Sequence, residues 1–279
     1  LPQITLSTSA ALRASLLHMQ VDYFHVDAFT ARAFGGNPAG VCPLKAWLPD
    51  ATLQAMAAEH KHAETAFAVK EPEGDYALRW FTPETEVDLC GHATLATAHV
   101  LWRHGYEAGR ELTFITRSGP LTVTREDDLI VMDFPSRPAA PIDPPPDVGE
   151  ILSATPLACW KSRDYLFEFK EEETVRALRP DFTRLAKWND VLGVIVTAPG
   201  REVDFVSRFF APRVGVPEDP VTGSAHCTLI PFWSGRLGKT KLHARQISPR
   251  GGEIFCEAQG DRVKISGHAV TYLKGTIEI

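Results

Sequence analysis

Arg79-Trp80-Phe81-Thr82-Pro83 returns in altered form as Arg208-Phe209-Phe210-Ala211-Pro212. Each run reads as an apolar strand ended by a Pro turn. Each then leads through an acidic stretch to a Gly that opens an apolar helix. The first such opening is Cys90-Gly91-His92-Ala93-Thr94; the second lies in Glu218-Asp219-Pro220-Val221-Thr222-Gly223-Ser224-Ala225-His226. Strand, turn, acid, Gly and buried helix therefore recur in one order, and two copies of one supersecondary plan are expected.

The neighbouring segments fit that plan. Val21 to Phe29 reads as a strand, a Gly-Gly-Asn-Pro turn follows at Gly35 to Pro38, and a short strand runs through Val41. Asp50 to His60 reads as a helix with Asp50 as N-cap. Strands are expected at 64–69, 76–81, 112–124 and 129–134, and a buried helix over 91–104 closed by Gly105. Pro135 to Pro146 holds six prolines in twelve residues, a stiff extended connector and a domain boundary. Beyond it come a strand at 165–169, helices at 172–178 and 182–187, strands at 191–197 and 204–210, and a helix from Gly223 to about Trp233.

Composition excludes several classes. The 279 residues are 44% apolar and 23% charged, enough to bury a core without a metal or disulfide staple. A net charge of −6 argues against nucleic acid as a partner, and no apolar run approaches about 18 residues, so no membrane span is expected. Cys42, Cys90, Cys159, Cys227 and Cys256 are odd in number and form no C-x-x-C pair. Free thiols fit a reducing, cytoplasmic location. Residues 1–18, rich in Ser, Thr, Ala and Leu, read as an extension or expression remnant, with the domain starting near Met19.

The chemistry centres on the two Gly-started helices. A helix N-terminus leaves about four N–H groups unpaired and carries partial positive charge. If the halves face each other, Gly91 and Gly223 converge on one cleft that holds a small carboxylate without Lys or Arg. Either motif alone reads as an ordinary capped helix; both together point to a site. Glu64, at the mouth of the apolar strand Thr65-Ala66-Phe67, is expected to be partly desolvated and suited to proton transfer, unless it simply faces solvent. His62-x-Glu64 imitates a deaminase zinc motif, but no P-C-x-x-C follows, so no metal is expected. Cys90 beside a helix N-terminus is a candidate nucleophile or base with a lowered pKa, or a small buried Cys. His92 is a candidate donor or proton shuttle. Asp219 is a candidate relay or amine holder, with helix capping by Asp219 and Thr222 the competing reading. Asn37, in its Gly-rich turn, is a weak ligand-binding candidate. His99 and His104 read as packed or surface histidines.

Four groups of residues together resemble the phenazine-biosynthesis PhzF-like isomerase family, within the diaminopimelate epimerase superfamily. They are Val26-Asp27-Ala28-Phe29 with Gly36-Asn37-Pro38-Ala39-Gly40-Val41; Ala63-Glu64-Thr65-Ala66-Phe67; Phe81-Thr82-Pro83 with Cys90-Gly91-His92-Ala93-Thr94; and Glu218-Asp219-Pro220-Val221-Thr222-Gly223-Ser224-Ala225. They stand in the family's order and span roughly residues 20–279.

The resemblance implies an α+β fold of two similar epimerase-like domains, each a sheet wrapped around a central helix, with the site between them. The first domain would be 19–134, completed by the C-terminal strand at about 268–279, and the second 135–267. It also implies no cofactor and a frequent homodimer; the small carboxylated substrate is expected from the two helix ends. The resemblance places the acid/base at Glu64, matches His92 and Asp219 to the family's site His and Asp, and puts Gly223 and Ser224 at the second helix end. Together with the reading of the helix starts and the Gly turn, His92 and Asp219 are expected to be catalytic, and Asn37, Cys90, Gly91, Thr222, Gly223 and Ser224 to bind substrate. In the related epimerases a Cys opens each helix. Here Cys90 fills the first place and the second corresponds to about Ala225, which cannot take a proton. The alternatives are an amino-acid epimerase or racemase using Cys90, and a non-catalytic binding or scaffold protein on this fold.

Overall fold

The computed structural model describes residues 19–279, so the expected extension at 1–18 lies outside the described residues. The first half contains strands β1 (Gln20–Ala28), β2 (Asn37–Leu44), β3 (Thr65–Lys70), β4 (Tyr76–Phe81), β5 (Glu86–Val87), β6 (Glu111–Thr116), β7 (Gly119–Glu126) and β8 (Leu129–Pro135). Its helices are α1 (Asp50–His60) and α2 (Gly91–Arg103). The second half runs β9 (Ala140–Ile142), α3 (Val148–Leu152), β10 (Ala158–Lys161), β11 (Tyr165–Glu168), α4 (Glu172–Ala177), α5 (Phe182–Leu185), β12 (Val194–Pro199) and β13 (Phe205–Ala211). It continues through β14 (Val216–Asp219), α6 (Gly223–Leu237), β15 (Lys241–Gln246), β16 (Gly252–Gln259) and β17 (Arg262–Gly267). The last strand, β18 (Ala269–Glu278), returns to pair antiparallel with β1.

Strand pairing repeats along the chain. β1 lies antiparallel to β2, β2 parallel to β3, β3 antiparallel to β4 and β4 parallel to β6, followed by the antiparallel β6, β7 and β8. β10, β11, β12, β13, β15, β16 and β17 pair in the same sequence of directions. Parallel neighbours need a long crossover, and the helices supply it: α1 and α2 in the first half, α4, α5 and α6 in the second. β8 and β17 pair antiparallel and join the halves into one continuous sheet. The recurring arginine has a repeated job. Arg79 grips Glu86 with Nε and Nη2, both at 2.7 Å, and Arg208 grips Glu218 likewise at 2.7 and 2.9 Å.

Each half wraps its sheet about one helix. Ten of the thirteen residues of α2 are buried, which is why its sequence is small and apolar all round. The helix stops at His104, and Gly105 takes the left-handed conformation (φ +80°) that closes it. α6 continues to Leu237, past the expected end near Trp233 and through Pro231. Proline supplies no N–H, so the carbonyl of Cys227 one turn earlier loses its helical partner. The Arg137 N–H takes that carbonyl at 2.8 Å, pinning the proline-rich connector to the helix.

Some local expectations need correction. The connector is extended as expected, but part of it, β9, also pairs with β10. Asp50 is the first helical residue rather than the cap; Pro49 holds the cap position and the Asp50 carboxylate turns to Arg79. The Val-rich strand begins at Val194, later than expected. Among the described residues no helix is long and apolar enough to cross a membrane.

Candidate active site

The N-termini of α2 and α6 abut. A Cβ built on Gly91 would lie 3.8 Å from the Gly223 Cα, and one built on Gly223 would lie 3.8 Å from the Gly91 Cα. Cys90 and Thr222 occupy the N-cap positions in extended conformation, and neither helix has a side-chain cap bond. The capping explanation for Asp219 and Thr222 therefore fails: the Thr222 hydroxyl donates to Asp219 Oδ2 instead. Gly91 and Gly223, at helix starts that leave N–H groups without helical partners, both line the adjoining cavity of about 200 Å³.

That cavity is lined by Glu64, Cys90, Gly91, His92, Asp219, Thr222, Gly223 and Ser224, which are distant in sequence. Asn37 is not among its walls. The Asn37 side chain is buried behind it, where Nδ2 donates to Asp219 Oδ1 and to the Val221 carbonyl, both at 2.8 Å. Gln246 supports the same corner, accepting the Thr222 N–H at 2.9 Å and donating to the Asp219 carbonyl at 2.7 Å. Asp219 is thus held by neighbours that leave its carboxyl against the cavity.

Glu64 stands just before β3, where its carbonyl takes the Gly40 N–H at 3.2 Å across the parallel β2–β3 pair. Its side chain is 20% exposed, reaching the cavity from a mostly closed wall. Burial, aided by the Asp219 charge, pushes its carboxyl up to about 7. Burial likewise pushes Asp219 up to about 6, against the opposing hydrogen bonds from Thr222 and Asn37. His92 is buried and pushed down to about 3, chiefly by desolvation, so its ring is neutral near pH 7. His92 Nε2 lies 3.3 Å from Glu64 Oε2, and Nδ1 lies 3.5 Å from Cys90 Sγ.

Of the two readings of Cys90, the small buried thiol is the one the structure matches. A helix N-terminus favours thiolate, but here burial, followed by the Glu64 charge, drives the thiol well above its usual range. The backbone N–H of Ala93 pulls the other way without prevailing. Glu64, Cys90 and His92 offer ligand atoms all within 4.8 Å of one another, a spacing that could hold a metal ion.

The internal repeat shows how the two halves diverged. β3 and β12 pair Thr65 with Phe81 and Val194 with Phe210, so Gly193 stands where Glu64 stands in the first half. A Cβ at Gly193 would lie 2.3 Å from the Phe209 ring, leaving no room for a second carboxyl. Aligning the helix openings sets Thr222, not Ala225, opposite Cys90; Ala225 falls opposite Ala93. A Thr hydroxyl is no better than Ala as a thiolate base, so the two-thiol arrangement is still missing.

Sequence reading missed the two cationic cavity residues, Arg137 and Arg163. Arg137 is hidden among prolines. Arg163 follows β10, a four-residue strand too short to show a pattern, and its Nη2 reaches Ser224 Oγ at 2.9 Å. Pro231 was the available signal for Arg137, since a proline inside a helix marks a carbonyl seeking another donor.

Comparison with known proteins identifies the family and the fold. The family model for phenazine biosynthesis-like proteins matches residues 26–275. An uncharacterized isomerase of Pseudomonas aeruginosa is 52% identical over 94% of this chain and 100% of its own. A crystal structure from Enterococcus faecalis, described as a phenazine biosynthesis protein of the PhzF family, superposes with a TM-score of 0.92 at 48% identity, covering 94% of this chain and 100% of that one. A hydroxyproline epimerase from Agrobacterium vitis shares the fold at 11% identity, with a TM-score of 0.59 over 93% of each chain. The expected α+β, epimerase-like architecture is therefore present. With its motifs gathered at one cavity and nearly its whole length matched, the chain belongs to the phenazine biosynthesis-like protein family.

Proposed function

We propose that the protein is a cofactor-independent isomerase that moves a proton within a small carboxylated substrate, with Glu64 as acid and base. One observation carries this reading: a carboxyl pushed to about 7 faces the cavity beside two uncapped helix N-termini. A group with a pKa near the working pH both accepts and returns protons. The substrate carboxylate sits against the first-turn N–H groups at Gly91 and Gly223. Glu64 as carboxylate takes an activated C–H proton, and the freed electron pair spreads into the conjugated system. The helix ends stabilise the charge that develops there. Glu64, now the acid, returns the proton at another carbon, so atoms and charge balance. His92 orients the substrate as a neutral ring, Asp219 stands by as a second carboxyl, and Asn37 acts through Asp219 rather than on substrate. Thr222 and Ser224 complete the second mouth.

The Cys90 epimerase reading is weakened by the raised thiol and by Thr222 opposite it. The domain division at 134/135 is supported by the repeated strand pairing, and the pairing of β18 with β1 supports completion of the first domain by the C-terminal strand. Five buried free cysteines support a cytoplasmic location. A homodimer is proposed from the family resemblance alone.

The test is solvent deuterium wash-in. A panel of unsaturated carboxylic acids is incubated with the protein in D2O and read by NMR. Wash-in at a ring or allylic carbon is expected, falling about 10²–10⁴-fold in Glu64→Gln. Undiminished exchange in that variant would remove Glu64 from the chemistry. Carboxylate binding with no exchange at all would favour the scaffold reading.

A further inference from the structure

The cavity is polarised. Glu64, Cys90 and His92 cluster about the first turn of α2, whereas Arg137, Arg163 and Ser224 cluster about that of α6. We infer that Arg137 and Arg163 form an anion subsite at the α6 end, and that the substrate carries there a second anionic group, carboxylate or phosphate. This inference rests on the proposed function, which assigns the first carboxylate to the helix ends.

Arg163 is fixed in place. Its Nη2 donates to Ser224 Oγ and to Asp164 Oδ2, both at 2.9 Å, and Nε donates to Asp164 Oδ2 at 3.2 Å. Asp164 is only 2% exposed, and its other oxygen takes the Gly193 N–H at 3.0 Å. One edge of the guanidinium is thereby tied down, while Nη1 makes no hydrogen bond among the described residues. Arg137 is fixed differently, through its backbone bond to the Cys227 carbonyl that Pro231 sets free. Its Nη1 is buried and lacks a partner among the described residues. A guanidinium stays charged at every working pH and offers donors that match carboxylate or phosphate oxygens. Such a donor is costly to bury unpaired, so its natural complement is an anion in the cavity. Leu192, Phe209, Val214 and Val216 supply an apolar wall, which suits a ring or unsaturated chain between the two charged ends.

Calorimetric titration with benzoate, isophthalate and 3-carboxyphenyl phosphate tests this on the wild-type protein. The two doubly charged probes are expected to bind at least about tenfold more tightly than benzoate. The tighter of them identifies the second group as carboxylate or phosphate. In Arg137→Met the gap should shrink to within about threefold while benzoate affinity holds, and Arg137→Lys should restore part of it. Arg137→Met should melt no lower than wild type, because its side chain makes no bond among the described residues; Arg163→Gln gives an independent second variant. Equal affinity for all three probes overturns the second anionic group and leaves the proposed function standing. A gap that survives both substitutions overturns the assignment to these arginines. No binding of any probe overturns both this inference and the carboxylate site.

Discussion

Glu64 Oε2 and His92 Nε2 stand 3.3 Å apart, both buried, and neither has a hydrogen-bond partner among the described residues. The distance is that of an ion pair, yet the electrostatics make it something else. Burial disfavours charge on both groups, raising the carboxyl to about 7 and lowering the ring to about 3. Near neutral pH the ring is uncharged and the carboxyl is close to half-protonated. One mobile proton therefore faces the cavity, beside helix ends that favour negative charge on a ligand.

That raised carboxyl should appear in stability. Below about 4.5 Glu64 is protonated in both folded and unfolded chains and contributes nothing. As pH rises from about 4.5 to about 7 the unfolded carboxyl ionises first, so the folded state holds the extra proton and loses stability. The loss is complete above the folded pKa and is on the order of 3 kcal/mol. His92, His99 and His226, all pushed down by burial, act in the opposite sense as pH falls. The difference between wild type and Glu64→Gln isolates the carboxyl. Urea unfolding should show the variant gaining on wild type between pH 4.5 and pH 8.

Cys90 should behave as an inert thiol. Burial and the adjacent Glu64 charge hold it protonated. Mass spectrometry at pH 7.5 should find it alkylated by iodoacetamide at least about tenfold more slowly than free cysteine, since thiolate is the reacting form. Cys90→Ser should keep deuterium wash-in within a few fold. Rapid alkylation together with lost exchange would restore the thiol mechanism.

The duplicated arginines should not be equal. Arg208 is the more buried, with 9% side-chain exposure against 20% for Arg79, and also donates to the Val175 and Leu178 carbonyls. Glu86 keeps a second cation, Arg117, at 2.6 Å, whereas Glu218 has none among the described residues. Arg208→Met should cost about 3–5 kcal/mol by leaving a buried charge alone. Arg79→Met should cost about 1–2 kcal/mol. Denaturant titration of the two variants measures the difference.

Much of this architecture was legible because it is periodic and local. The repeated Arg-aromatic strand and Gly-opened helix mark both halves, and α1 and β4 fall within the segments expected for them. The short strands β5, β10 and β14 were not, because two to four residues carry no period. Site residues beside a conspicuous Gly could be named, whereas Arg137 and Arg163 reach the cavity only through tertiary contacts. An Asn in a Gly turn, as at Asn37, suggests a ligand, whereas here its Nδ2 is bound to Asp219 and to the Val221 carbonyl, contacts that no local pattern announces. For Cys90 the sequence left the helix dipole and burial as competing readings, and only the tertiary packing decides for burial.

Titration of the Glu64 carboxyl by carbon-13 NMR, with glutamate labelled at Cδ and Glu64→Gln used for assignment, tests the central claim without a known substrate. The resonance should titrate near 7, and Asp219→Asn should lower that midpoint while leaving it above 4.5, because burial is the larger cause and the Asp219 charge the smaller. A midpoint at the ordinary glutamate value near 4.5 in the wild-type protein would contradict the account.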